Sequence, residues 1–93
     1  MENEYYQAID VWKRLEDGRL VRYRCFRIVS TGRYCVQSAD YYNLPLNAEE
    51  DRKFDRQFKE LLIEQAPEYR SETCATLEEA IFSHDREFEE TTS

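Results

Sequence analysis

The segment that most constrains the fold is residues 20–29, in which apolar and basic side chains alternate between two turn signals. Asp17 and Gly18 precede it, and Asp-Gly favours a two-residue hairpin loop, because a type I′ turn needs positive φ at both central positions. Gly32 follows it, and there we expect a three-residue loop with Gly32 in the left-handed region, since Thr31 is a poor residue at positive φ. The pattern predicts a three-stranded antiparallel β-meander over residues 5–42, with residues 20–29 as the middle strand.

These loops fix which residues face each other across the strands. In the first hairpin we expect Leu15 opposite Leu20, Trp12 opposite Tyr23 and Ile9 opposite Phe26. In the second we expect three pairs, Phe26 with Val36, Tyr23 with Ala39, and Arg22 with Asp40.

Side-chain alternation then divides the sheet into two faces, the Tyr23 face and the Phe26 face. The Tyr23 face is predicted to carry Ala8, Trp12, Val21, Tyr23, Cys25, Cys35, Ala39 and Tyr41. The Phe26 face is predicted to carry Ile9, Val11, Lys13, Leu20, Arg22, Arg24, Phe26, Ile28, Tyr34 and Val36.

Two amphipathic helices follow the sheet. Asn47 with Glu50, and Thr76 with Glu79, have the capping-box spacing that begins a helix, and Pro67 ends the first one. We expect helices over residues 48–65 and 77–89, with an irregular connection or a short fourth strand between them. Their apolar stripes are Phe54, Phe58, Leu61, Leu62 and Gln65 in the first helix, and Leu77, Ile81, His84 and Phe88, with Ala80 beside them, in the second.

The predicted fold is therefore one α+β domain, a meander followed by two helices packed on one sheet face. We expect the helices to cover the Tyr23 face, because alanine and cysteine leave room for helix backbones and Trp12 fills the gap. The Phe26 face would then expose an apolar patch with basic residues around it, and such a patch usually marks a partner site. The predicted binding residues are Arg22, Arg24, Phe26, Ile28 and Val36.

Charge and composition limit the kinds of partner. The chain has 93 residues and a net charge of −7. Residues 1–46 have 7 basic and 6 acidic side chains, whereas residues 47–93 have 6 basic and 14 acidic ones. This acidity disfavours general binding to nucleic acids or membranes. The Arg-rich Phe26 face leaves single-stranded nucleic-acid binding as an alternative, with aromatic rings for stacking and cations for phosphates.

No catalytic, cofactor or metal motif is present in the sequence. His84 is the only histidine, and the three cysteines (Cys25, Cys35 and Cys74) do not have metal-ligand spacing. An odd number of cysteines, together with an N-terminus that has no apolar signal region, indicates reduced thiols in the cytoplasm. The sequence therefore predicts a small, acidic, cytoplasmic, non-enzymatic binding or adaptor protein, whose partner is another protein or a second copy of itself.

Overall fold

The computed structural model describes the backbone of residues 4–92 and the side chains of residues 4–87. Three strands form an antiparallel sheet in the order β1-β2-β3, and three helices follow. The strands are β1 (Tyr6–Arg14), β2 (Leu20–Ile28) and β3 (Tyr34–Tyr42), and the helices are α1 (Ala48–Glu64), α2 (Pro67–Arg70) and α3 (Leu77–Thr92). The α+β meander is confirmed.

The loop between β1 and β2 has three residues, 16–18, and not the predicted two. The Gly18 amide donates to the Leu15 carbonyl at 3.1 Å, and the Leu15 amide donates to the Arg19 carbonyl at 2.9 Å. This loop needs positive φ only at Gly18, where φ is 90° and glycine has no Cβ to clash with the backbone. A type I′ turn would also require positive φ at Asp17.

The longer loop shifts the first hairpin by one residue. Trp12 lies opposite Arg22, and Ile9 lies opposite Cys25. A shift of one residue moves every side chain of a strand to the other face. Ile9, Val11 and Lys13 therefore belong to the Tyr23 face, and Ala8 and Trp12 to the Phe26 face, the reverse of the prediction.

The second hairpin has a four-residue loop and a β-bulge. The Gly32 amide donates to the Ile28 carbonyl at 2.8 Å, with φ at 71°. Phe26 therefore pairs with Cys35 and not, as predicted, with Val36. The β-bulge inserts Gln37 as an extra residue in β3, and from Ser38 onward the strands have the predicted register. Tyr23 pairs with Ala39 and Arg22 with Asp40, as predicted, whereas Tyr34, Cys35 and Val36 lie on the faces opposite to those expected.

Helices cover both faces of the sheet, so the prediction that they share one face is wrong. On the Phe26 face, the ring of Phe58 in α1 stacks on Phe26 with centroids 5.4 Å apart. On the Tyr23 face, Ala80 of α3 joins the buried cluster that contains Val21, Tyr23, Cys25, Val36 and Cys74. The bulge helps to hold α1, because the Gln37 side chain donates to the Phe58 carbonyl at 3.2 Å.

The helix starts agree with the capping signals. The Asn47 side chain accepts from the amides of Glu49 and Glu50, and the Thr76 hydroxyl accepts from the Glu79 amide. The α3 backbone continues to Thr92, three residues further than predicted. The side chain of Phe88, predicted to lie on the α3 stripe, is outside the described side chains.

The segment between α1 and α3 contains the short helix α2 and then runs beside β3. Cys74 and Tyr34 exchange backbone hydrogen bonds of 2.8 and 2.9 Å, so the predicted short fourth strand is reduced to one bridge. The Ser71 hydroxyl also donates to the Val36 carbonyl at 2.6 Å. This segment therefore covers part of the outer edge of β3. Among the described residues, no helix has the length and apolarity to cross a membrane.

Candidate functional site

Three of the predicted binding residues lie in the core. The exposed fractions of Phe26, Ile28 and Val36 are 1%, 3% and 1%. Phe26 and Ile28 lie on the Phe26 face, where α1 covers the sheet, and Val36 lies on the Tyr23 face beneath α3. The predicted apolar patch on the Phe26 face is therefore filled by the protein itself, and these three side chains do not offer a surface to a partner.

The predicted basic residues form an internal ion-pair network. Arg24 is buried and donates from Nε to Asp40 at 2.9 Å and from Nη2 to Asp55 at 2.8 Å. The Arg22 guanidinium is 3.6 Å from each of these two carboxylates and donates to the Tyr42 hydroxyl. Both charges are thus neutralised by carboxylates of the same chain.

Arg22 also organises an aromatic group at one end of the Phe26 face. Its guanidinium carbon lies 5.1 Å from the centroid of the Trp12 ring and 5.5 Å from that of Tyr42, within the range of cation–π attraction. Trp12 is still 51% exposed. The ring is therefore oriented by Arg22 while half of its surface remains open to solvent.

An open groove lies beside these rings, and we call it the Trp12 groove. Its volume is about 290 Å³, and it is lined by Trp12, Leu20, Arg22, Tyr42, Leu46, Asp51 and Asp55. An adjoining hollow of about 250 Å³ extends it along Leu20, Tyr42, Asn43, Leu44 and Leu46 to Gly18. Leu44 and Leu46, in the linker that carries the chain from β3 to α1, are 83% and 65% exposed. Three large apolar side chains thus share one end of the molecule.

The second open feature is the outer edge of β1. Within the described chain, β1 pairs only with β2, whereas the outer edge of β3 is partly covered. A strand edge with unpaired amides and carbonyls can accept another strand. Since Trp12 belongs to β1, this open edge is continuous with the Trp12 groove.

A larger hollow than the Trp12 groove lies on the other side of the sheet, on the Tyr23 face. It measures about 440 Å³ and is lined by Lys13, Leu15, Arg19, Val21, Tyr23, Tyr41 and Asp85. The Tyr23 hydroxyl donates to the Asp85 carboxylate at 2.9 Å, and burial together with this negative charge raises the pKa of Tyr23. The hydrogen bond between Tyr23 and Asp85 therefore links α3 to the sheet.

The described hollow that His84 lines is too small for a substrate. The hollow beside it, which Glu72 and Glu87 also line, has a volume of about 10 Å³, roughly the space of one water molecule. The described residues contain no group of three or more histidine, cysteine, aspartate or glutamate side chains arranged to hold a metal ion.

All three thiols are free and buried. Cys25 belongs to the Tyr23 face and Cys35 to the Phe26 face, because the four-residue loop shifts the start of β3 by one residue from the predicted register. Burial raises the pKa of Cys25 to about 12 and that of Cys35 to about 11. Thiols in this state are poor nucleophiles and pack as small apolar side chains.

The Trp12 groove was not predicted from the sequence. The signal for Leu44 and Leu46 was present, because two leucines flank Pro45 in a linker where polar residues are usual. Trp12 was assigned to the covered face, since the register of β1 was wrong by one residue.

Comparison with models of known protein families, with curated proteins and with solved structures finds no match to this chain.

Proposed function

We propose that the chain is a small, non-enzymatic binding or adaptor protein that acts by protein–protein contact, with another protein or with a second copy of itself. The contact surface is the Trp12 groove together with the open edge of β1. The observation that carries this proposal is the exposure of Trp12, Leu44 and Leu46 at 51%, 83% and 65% around one groove. Exposed apolar side chains gathered in this way usually mark an interaction site.

The groove has the features of a protein contact site. Its centre offers a tryptophan and a tyrosine held around an arginine, the residue types in which binding energy is concentrated at interfaces. Its rim contains the carboxylates of Asp51 and Asp55, which can orient a partner. Arg22 and Tyr42 are already hydrogen-bonded, so little ordering is needed when a partner arrives.

The cytoplasm is the compartment that suits this protein. Cys25, Cys35 and Cys74 are all free thiols, and free thiols persist in reducing compartments. Nucleic-acid binding through Arg22 and Arg24 is not favoured, because both are ion-paired with Asp40 and Asp55 inside the fold.

The test is a pull-down from the native cell with three baits. One bait is the wild-type protein, the second has Leu44→Glu and Leu46→Glu in the groove, and the third has Ile63→Glu. Ile63 is a matched control, because it is 84% exposed but lies on α1, outside the residues that line the groove.

We expect the wild-type and Ile63→Glu baits to retain the same partners and the double variant to lose them. Circular dichroism and thermal unfolding of all three baits show whether the variants fold. Equal retention by all three folded baits would mean that the groove is not the contact site.

A further inference from the structure

The open edge of β1 has a defined hydrogen-bonding pattern. The Leu15 amide bonds to Arg19, and the Val29 amide bonds to Tyr5, so the odd-numbered residues of β1 exchange hydrogen bonds with β2. The amides and carbonyls of the even-numbered residues therefore point away from the sheet. Ala8, Asp10 and Trp12 are at the centre of this open row.

The side chains of the same three residues lie on the Phe26 face. Trp12 contacts Arg22 there, and all three side chains are exposed, because α1 lies over the other two strands. A strand added at this edge would place every second side chain beside them. The side chain next to Trp12 would reach the groove, and the side chain next to Asp10 would meet a carboxylate.

The charges around this position favour a cation. Asp10 is exposed on β1, and Asp51 and Asp55 line the groove from α1. The nearby guanidiniums of Arg22 and Arg24 are bound by Asp40 and Asp55. An incoming lysine or arginine therefore meets the carboxylates of Asp10 and Asp51, which form no ion pair among the described residues, on a chain with a net charge of −7.

The same charges oppose a second copy of the chain. The longest antiparallel pairing of β1 with itself is centred on Asp10 and places the two Asp10 carboxylates directly opposite each other. Like charges in this position destabilise a strand pair, and charged residues on an edge strand commonly prevent self-association.

We infer that the open edge of β1 binds an extended segment of another protein as a fourth strand. That segment has a lysine or arginine opposite Asp10 and an apolar residue opposite Trp12, whose side chain enters the Trp12 groove. This mode of strand addition is common in peptide recognition, where backbone hydrogen bonds supply affinity and alternate side chains supply specificity. The inference rests on the proposed function and adds to it the partner's conformation and chemistry.

The test uses two capped ten-residue peptides and amide hydrogen exchange measured by NMR. In the first peptide, threonine alternates with leucine or arginine, and in the second, glutamate replaces every arginine. Trp12 is the only tryptophan in the chain, so its fluorescence measures the dissociation constant. At a free peptide concentration of about ten times that constant, amides that bond to the peptide should exchange about tenfold more slowly.

We expect the arginine peptide to protect the amides of Ala8, Asp10 and Trp12, while those of Ile9 and Val11, which already bond to β2, change little. The glutamate peptide should bind at least about tenfold more weakly, and Asp10→Lys should reverse the preference. Ala8→Pro removes one outward amide without removing a bond to β2, so it should weaken binding while the fold is retained.

Two results overturn the inference. If the outward amides are unprotected by the arginine peptide while the Leu44→Glu, Leu46→Glu bait still loses its partners, the proposed function stands and strand addition is wrong. If these amides are protected in the free protein and ultracentrifugation shows a dimer, the edge is occupied by a second copy.

Discussion

Arg24 is the residue on which the Phe26 face depends most. It is 5% exposed, its guanidinium carbon lies 5.0 Å from the centroid of the Phe58 ring, and it joins Asp40 of β3 to Asp55 of α1. A sequence pattern shows an arginine on a strand, which is ordinary on a solvated surface. Its partners become visible only when the register and the position of α1 are known.

Replacement of Arg24 should be strongly destabilising. Arg24→Met keeps most of the side-chain volume but removes the charge that compensates Asp40, which is 7% exposed. Loss of one partner of a buried ion pair costs about 3–5 kcal/mol, and we expect about 3 kcal/mol because Arg22 remains 3.6 Å from Asp40. Urea unfolding at pH 7 measures the free energy of unfolding.

The control for this variant is Arg19→Met. Arg19 and Asp17 form a pair of similar geometry whose side chains are 47% and 53% exposed, so its loss should cost less than about 1 kcal/mol. If Arg24→Met and Arg19→Met lower the free energy of unfolding equally, the pair between Arg24 and Asp40 is as well solvated as the surface pair between Arg19 and Asp17.

Asp55 should make the free energy of unfolding depend on pH, with a sign that follows from its lowered pKa. The hydrogen bond from Arg24, and then the positive charges of Arg24 and Arg22, hold the pKa of Asp55 below its usual value of 3.8. A carboxyl whose pKa is lower in the folded state contributes stability above the unfolded pKa and loses it as pH falls through the folded pKa. We therefore expect this contribution to be complete above about pH 4 and to be lost below it.

The Asp55→Asn variant isolates that contribution. The free energy of unfolding of the wild type, measured between pH 6 and pH 2.5, should fall below pH 4 more steeply than that of Asp55→Asn. The Glu60→Gln variant is a suitable control on α1, because the Glu60 side chain is 64% exposed and, among the described residues, pairs with the exposed Arg56 at 3.6 Å. Parallel curves for the wild type and Asp55→Asn would show that Asp55 does not carry this dependence.

At the level of elements, the sequence predicted the type of each strand and long helix better than the registers between them. Alternation in residues 20–29 and the caps at Asn47 and Thr76 are local signals, and the structure agrees with them. Register depends on loop length, and here a single residue at each loop decided which face Trp12 and Val36 occupy. The register explains why Trp12 and Val36 were assigned to the wrong faces, whereas Phe26 is buried because α1 packs on its face.

Helix α1 should be the first long element to open. None of its residues is buried, and its described contacts with the sheet consist mainly of the rings of Phe54 and Phe58 and the Asp55 ion pairs. Few buried apolar contacts imply a low free energy of local opening. Native-state hydrogen exchange should therefore show lower opening free energies for α1 amides than for those of β2.

The Asn47→Ala variant tests the cap of this element. The Asn47 side chain accepts from the amides of Glu49 and Glu50 at 2.9 and 3.1 Å, and loss of such a cap costs about 1 kcal/mol. The exchange of α1 amides should become about fivefold faster in Asn47→Ala and stay near the wild-type rate in Asn47→Asp, which keeps an acceptor. Identical opening free energies in α1 and β2 would show instead that α1 unfolds only with the whole molecule.

On the scale of the whole molecule, helices cover both faces of a small sheet and leave one edge open. The sequence correctly predicted apolar residues on both faces of the sheet. The prediction that one face is uncovered was wrong, because α1 packs on the Phe26 face and α3 packs on the Tyr23 face. The contact surface that we propose is therefore a strand edge with a groove beside it. An open edge also offers a second copy of the chain a strand to pair with, and a charged side chain on that edge opposes such pairing.

Asp10 is the residue that we expect to keep the protein monomeric. Asp10→Thr replaces the central charge of the open edge with a residue that favours strands, so two copies can pair along β1 without opposing carboxylates. The control is Gln7→Thr, which adds the same residue to the same strand and removes no charge. Sedimentation equilibrium over a range of protein concentrations should show a monomer for the wild type and Gln7→Thr, and dimer formation for Asp10→Thr. A dimeric wild type would mean that Asp10 does not protect the edge, and a monomeric Asp10→Thr would mean that another feature does.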